Sequence, residues 1–236
     1  MAEERWLPLI GDVQAAVSDV HRFGADALLL AHFAAPKRAE TVCELGTGCG
    51  AIALRLCAAS PAAAVHGVDL APEAIALARQ SAAALAAAHP ERPRPTFAAA
   101  DWRQPRTIAS AGSFDRVVCN PPYFPPGSGA VSRSDAIRLA RHEQPDTLPS
   151  LCRAAVWLLR FGGTFCLCHR PERLPSVLEE LAAVGLQPKR LLPVQQRPDT
   201  PPWLFLLAAV KGGRPGLTWE APLTMDSPAC RAIYGE

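Results

Sequence analysis

Apolar positions follow two rhythms along this chain. Short β-rich runs alternate with longer Ala/Leu stretches in which apolar residues recur at helical spacing. The runs TVCELG (41–46), VHGVDL (65–70), TFAAAD (96–101), FDRVVCN (114–120) and GGTFCLCH (162–169) read as strands. AIALRLCAAS (51–60), PEAIALARQSAAALAAAH (72–89), LPSLCRAAVWLLR (148–160) and ERLPSVLEELAAVG (172–185) read as helices, the last closed by Gly185 as its C-cap. Strands alternating with helices of this length predict βαβ units and a parallel sheet covered on both faces. PKRLLPVQQ (188–196) and PWLFLLAAV (202–210) follow with no convincing helix between them, which predicts an antiparallel pair at the sheet edge. FGADALLLAHF (23–33) reads as an amphipathic helix ahead of the first strand. The expectation is therefore an α/β fold with a seven-stranded, mostly parallel sheet and an antiparallel edge hairpin. It is read as one domain over 1–236, with an N-terminal helical segment at 1–35 and a C-terminal extension at 211–236.

Composition narrows the setting more than the chemistry. The 236 residues suffice for one good core, and 49% hydrophobic with 19% charged residues describes a globular chain. No apolar run approaches the ~18 residues of a membrane helix. MAEERWLPLI carries acids and lacks a basic region followed by an apolar core, so a cytoplasmic protein is expected. In that reducing setting, the eight cysteines are expected as buried small hydrophobes. The Cys-x-Cys of CLCH (166–169) has no second Cys/His pair at zinc-like spacing, so core packing is favoured over a metal site. A net charge of +2 permits an RNA partner without arguing for one, and nothing in the sequence sets an oligomeric state.

Ligands of parallel α/β sheets bind beyond the carboxyl ends of the strands. Three features fall at such ends. In ELGTGCG (44–50), Gly46, Gly48 and Gly50 form a G-x-G-x-G turn with Thr47 inside it, not the G-x-G-x-x-G of a dinucleotide site. Glu44 before the turn would repel a phosphate and favour a cation such as a sulfonium or amino group. Asp69, 19 residues after Gly50 and followed by Leu70, can accept both hydroxyls of a ribose. This pairing suggests S-adenosylmethionine over NAD; a plain tight turn with a solvated aspartate is the competing reading. Asp101, followed by Trp102, ends the third strand and suits an adenine amino group, or is an ordinary loop aspartate.

The third feature is VVCNPPYF (117–124). The prolines cannot pair onward, so the strand stops and exposes its last polar groups. The Asn120 side-chain oxygen and the Pro121 carbonyl could both accept from one NH₂ group. Beyond Pro122, Tyr123 or Phe124 can stack on a planar ring. A turn at a strand end is the alternative.

Together ELGTGCG, VDL, AAD and NPPYF resemble the class I S-adenosylmethionine-dependent methyltransferases that modify amino nitrogens. HRFGADALLLAHF (21–33), RHE (141–143), HRPERL (169–174), PKRL (188–191), KGGRPGL (211–217) and AIYGE (232–236) resemble, more narrowly, the bacterial tRNA1(Val) (adenine-37)-N6-methyltransferase family. The resemblance implies a Rossmann-like class I methyltransferase fold, methylation of an adenine N6 beside a tRNA anticodon, and no metal. It implies that Asn120 and Pro121 orient the nitrogen, that Tyr123 stacks on the flipped base, and that Gly24 and Asp26 flank the methionine end of the cofactor. Arg141 and His142, in a loop studded with arginines (Arg133, Arg138), could close the site or contact RNA, a role the resemblance favours over a solvated loop. Apart from the resemblance, Lys189 and Arg190, with Lys211 and Arg214, could form a second phosphate-contacting edge, with solvated surface charges as the competing reading. The neighbouring readings are a release-factor-type glutamine N5-methyltransferase, a guanine N2-methyltransferase and a non-catalytic module that binds cofactor or RNA.

Overall fold

A parallel sheet grows outward from β3 (Thr41–Leu45) in two directions. On one side lie β4 (Ala64–Asp69) and β5 (Thr96–Ala99); on the other lie β6 (Phe114–Cys119) and β7 (Leu159–His169), all parallel to β3. The computed structural model describes residues 5–59, 64–123 and 146–235. The chain turns back between β3 and β6, which makes their carboxyl ends the switch point of the sheet. β9 (Pro202–Lys211) runs antiparallel beside β7, and β8 (Leu186–Gln195) pairs antiparallel with its outer edge. The expected edge hairpin is present, with its second strand inserted inside its first. The exposed edge of β8 is covered by two-residue strands β10 (Thr218–Trp219) and β11 (Leu223–Thr224), so the C-terminal extension belongs partly to the sheet.

The helices cover both faces. On one face lie α1 (Ala25–Phe33), α2 (Ala51–Ala59) and α3 (Pro72–Ala88); on the other lie α4 (Thr147–Leu158) and α5 (Leu174–Ala183). A last helix, α6 (Pro228–Tyr234), starts at a Ser227 cap and ends at Gly235 in the left-handed conformation. Leu29, Leu30 and Leu54 on one face and Leu151, Leu158 and Leu181 on the other are fully buried. Truncating any of them to Ala carries the ~2–5 kcal/mol cost of a core cavity.

Three expectations change. The segment at 1–35 is not purely helical: β1 (Arg5–Ile10) and β2 (Val13–Val17) form an antiparallel hairpin turning at Gly11, whose φ is +55°. Gly11-Asp12 between apolar runs is a two-residue turn signal, and Leu9, Val13, Ala15 and Val17 bury the hairpin against the core. α1 is not amphipathic, because Ala27 through Ala31 are all buried and α1 is packed among α2, α6, β7 and β9. β7 starts at Leu159 directly after α4, with no loop to mark the boundary. All eight cysteines are buried and free of disulfides, and no helix among the described residues is long and apolar enough to cross a membrane.

Candidate active site

The switch point opens into a cavity of about 730 Å³, within the range of small-molecule sites. Its floor begins with the turn after β3. Gly46, Gly48 and Gly50 have φ of +70°, +54° and +82°, a region that L side chains rarely adopt. Gly50 is also sterically fixed, since a Cβ there would lie 2.9 Å from Ala78 and Phe97. At Gly48 a Cβ would meet nothing within 4 Å, so bare backbone faces the opening.

Asp69 ends β4 beside this turn. Its Oδ2 accepts from Gly48 N–H at 2.8 Å and its Oδ1 from Ala71 N–H at 2.9 Å. Each oxygen keeps a further lone pair, so the carboxylate is aimed without being used up. Glu44 behaves otherwise. It is 2% exposed, and its Oε2 accepts from the Thr47 hydroxyl at 2.7 Å and from Ala53 N–H, near the start of α2, at 2.9 Å. Burial pushes its carboxyl up to about 8, so at neutral pH it is mostly uncharged. Burial thus works against the full countercharge expected before the turn, and the carboxyl anchors the turn to α2.

On the opposite wall, Trp102 lies over Gly46, where a Cβ would come within 3.0 Å of its ring, and donates its indole N–H to Ser150 Oγ at 3.3 Å. Asp101 is held by the Arg103 guanidinium at 2.6 Å, and that hydrogen bond keeps its carboxyl below the usual range. The remaining lone pairs, not a free carboxylate, face any ligand there.

Asn120 follows the last residue of β6, and Pro121–Tyr123 leave the sheet. Asn120 Nδ2 donates to Asp26 Oδ2 at 3.1 Å, in the first turn of α1. The Tyr123 hydroxyl lies within reach of Asp26 Oδ2 at 3.0 Å, of Cys168 Sγ at 2.9 Å, and of Asn120 Oδ1. Cys168 Sγ is also 3.1 Å from Asn120 Oδ1. Burial first, then the neighbouring thiol and carboxylate, raises the Tyr123 phenol well above its usual value, and burial raises the Cys168 thiol likewise. Both stay neutral hydrogen-bonding groups. The Tyr123 ring meets His169 edge-on at 5.4 Å, and its hydroxyl is turned toward Asp26, Asn120 and Cys168.

Thirteen of the expected residues line the one cavity: Asp26, Glu44, Gly46, Thr47, Gly48, Asp69, Leu70, Asp101, Trp102, Asn120, Pro121, Pro122 and Tyr123. Gly50 packs behind the turn against Ala78 and Phe97, and Gly24 precedes α1 next to Asp26. Phe124, Arg133, Arg138, Arg141 and His142 lie outside the described residues. Lys211 and Arg214 do not belong to it. β9 runs against the parallel strands, so Lys211 sits at the end of the sheet remote from the cavity, where Nζ donates to Val156 O at 2.7 Å and Leu159 O at 2.8 Å. Lys211 caps α4. Lys189 Nζ likewise donates to Arg214 O at 3.0 Å, and Arg190 pairs with Glu220. Sequence reading missed Cys168, which reaches Asn120 because β7 neighbours β6 and the pairing of Cys119 with Leu167 puts the next residue of each strand side by side.

The donor set fits S-adenosylmethionine: an aimed acid for a ribose, a side-chain-free turn, an indole wall and, among the described residues, no cluster of cations for phosphates. The strand order, with an antiparallel strand beside the last parallel one, is that of a class I methyltransferase. The chain belongs to the methyltransferase small domain family, whose model matches residues 22–181, and is an S-adenosylmethionine-dependent enzyme of that family. Over 187 residues it is 32% identical to the tRNA1(Val) (adenine(37)-N6)-methyltransferase of Porphyromonas gingivalis, covering 77% of this chain and 71% of that one. A release factor glutamine methyltransferase of Moorella thermoacetica is 35% identical over 157 residues, but the match covers 64% of this chain and only 53% of the relative. Among solved structures, a predicted O-methyltransferase of Agrobacterium tumefaciens superposes with a TM-score of 0.69 at 25% identity, over 89% of this chain and 95% of that one.

Proposed function

We propose that this protein methylates the N6 amino group of an adenine in RNA, and that its substrate is a tRNA, in the cytoplasm. The observation that carries the reading is Asn120: an amide at a proline-stopped strand end, in the same cavity as Asp69 and the glycine turn. S-adenosylmethionine supplies an electrophilic methyl group. The chain supplies position. Asn120 Oδ1 and the Pro121 carbonyl accept the two amino hydrogens and so turn the nitrogen lone pair toward the methyl. Tyr123 closes the other side of the planar ring after its hydroxyl releases Asn120 Oδ1. Neither Tyr123 nor Cys168 is poised as a base, and none is needed, because the proton leaves after the nitrogen has gained positive character. Alignment contributes most of the rate. The similarity to tRNA1(Val) (adenine(37)-N6)-methyltransferases over most of both chains supports tRNA as the carrier.

One observation favours a second reading. Among the described residues, Glu73 and Asp146 join Asp26, Asp69 and Asp101 around the cavity against Arg22 and Arg103, a balance that suits a protein better than a polyanion. The same Asn120 geometry would hold the NH₂ of a glutamine. The deciding experiment incubates the protein with labelled S-adenosylmethionine and either unmodified bulk tRNA or release factor, followed by nucleoside digestion and mass spectrometry. Label on N6-methyladenosine is expected; label on protein alone overturns the RNA reading. Asn120→Ala should reduce transfer by at least about a thousandfold while cofactor affinity stays within about threefold.

A further inference from the structure

The two ends of the Asn120 amide have different partners. Nδ2 donates to Asp26 Oδ2 at 3.1 Å, while Oδ1 meets the Tyr123 hydroxyl and, at 3.1 Å, Cys168 Sγ. A carboxylate only accepts, so Asp26 dictates which end of the amide turns toward it. A flipped Asn120 would set its oxygen against a carboxylate oxygen and withdraw the acceptor that the Tyr123 hydroxyl and the Cys168 thiol now meet. The same Asp26 oxygen lies 3.0 Å from the Tyr123 hydroxyl, giving Tyr123 a partner to keep when a substrate displaces it from Asn120. Gly24 leaves the room for this: a Cβ there would lie 2.8 Å from Asp26 Oδ1. A side chain at residue 24 would therefore crowd the carboxylate in its present position.

We infer that Asp26 is the positioning residue that sets the polarity of the target site. By taking the donor end of Asn120, it leaves the acceptor end for the substrate, so the site selects an NH₂ and refuses a carbonyl of the same shape. Its main partner is the Asn120–Tyr123 pair, not the methionine end of the cofactor. The inference rests on the reading of Asn120 as the group that holds the target nitrogen. It also gives α1 a role in selectivity, although α1 precedes the whole parallel sheet in sequence.

The test compares Asp26→Ala and Asp26→Asn in the full chain by three measurements. Calorimetry gives the cofactor Kd without acceptor, kinetics gives kcat at saturating cofactor, and ¹⁵N NMR follows the Asn120 side-chain amide. Asp26→Ala is expected to lower kcat about 10–100-fold, with the cofactor Kd within about threefold and the Asn120 amide resonances shifted and faster to exchange. Asp26→Asn, whose amide oxygen still accepts, should recover most of that loss. A cofactor Kd weakened more than about tenfold, with kcat at saturation unchanged, overturns the inference in favour of a cofactor contact. Unmoved Asn120 resonances in Asp26→Asn overturn it even if Asp26→Ala does not fold. The kinetic arm uses whichever acceptor the wild type labels, so label on release factor refutes the RNA reading alone. If the wild type labels neither, the calorimetric and NMR arms still decide the role of Asp26.

Discussion

Replacing Glu44 by Gln should change how stability depends on pH more than it changes stability itself. Burial holds the Glu44 carboxyl at about 8 in the folded chain, against 4.5 for an ordinary glutamate. Between those values the unfolded chain loses its proton and the folded chain keeps it. The folded state then binds more protons, so stability falls as pH rises, by about 1.4 kcal/mol per pH unit. The contribution is fully present below 4.5 and lost by about 8, an overall change on the order of 4–5 kcal/mol. The amide that Glu44→Gln introduces would offer the same acceptor to the Thr47 hydroxyl and Ala53 N–H and would not titrate. His169 runs the other way. Burial, then Arg173 and Arg170, lower it from 6.5 to about 4, so its contribution is lost as pH falls through that window. The two slopes oppose each other between 4.5 and 6.5 and leave Glu44 alone above 6.5.

Urea unfolding followed by circular dichroism at four pH values from about 5 to about 8 reads this directly. His169 and every other titrating group cancel in the difference between Glu44→Gln and the wild type. That difference should grow in favour of the variant at about 1.4 kcal/mol per pH unit. A difference that stays level across the range would mean that Glu44 ionises normally, and would refute the account of the turn given above.

Two other perturbations probe how the site is supported. Arg55, 4% exposed, donates to Leu9 O at 2.8 Å and to Ile233 O, joining α2 to the N-terminal hairpin and to α6. Arg55→Met should cost about 2–4 kcal/mol in urea unfolding and speed amide exchange in both joined segments; a change confined to α2 would contradict the bridge. Lys211→Met removes the cap of α4 and should cost about 1–2 kcal/mol while KM for the methyl acceptor stays within about twofold. A large rise in KM at unchanged stability would restore Lys211 to the substrate edge.

Much of this was legible in the chain itself, for physical reasons. The parallel strands each carry a buried apolar stretch set between longer helical patterns, and that alternation is visible in the sequence. The glycine turn, Asp69 and Asn120 each follow a strand, so their convergence followed from topology alone. The hairpin of β1 and β2 was hidden because Pro8 and the short alanine-rich β2 blur its alternation. The charge state of Glu44 was hidden for a different reason: it follows from burial, which only the fold supplies and which outweighs the Thr47 and Ala53 hydrogen bonds that favour the charged form. Cys168 looked like a core residue and is one, yet its sulfur also touches Asn120 and Tyr123.

Lys211 shows what strand-end reasoning requires beyond a strand end. Asn120 and Lys211 both stand where an apolar strand gives way to irregular chain, and a sequence marks the two alike. β6 runs with the parallel set, so its last residue opens on the switch point. β9 runs against it, with Thr164 beside Val210 and His169 beside Phe205, so its last residue lies beside the start of β7. It is therefore the first residues of β9 that approach the site, where Phe205 stacks on His169 at 6.5 Å and His169 meets Tyr123. The direction of one strand reverses which end of it bears on the chemistry, and direction is set by pairing partners far away in sequence.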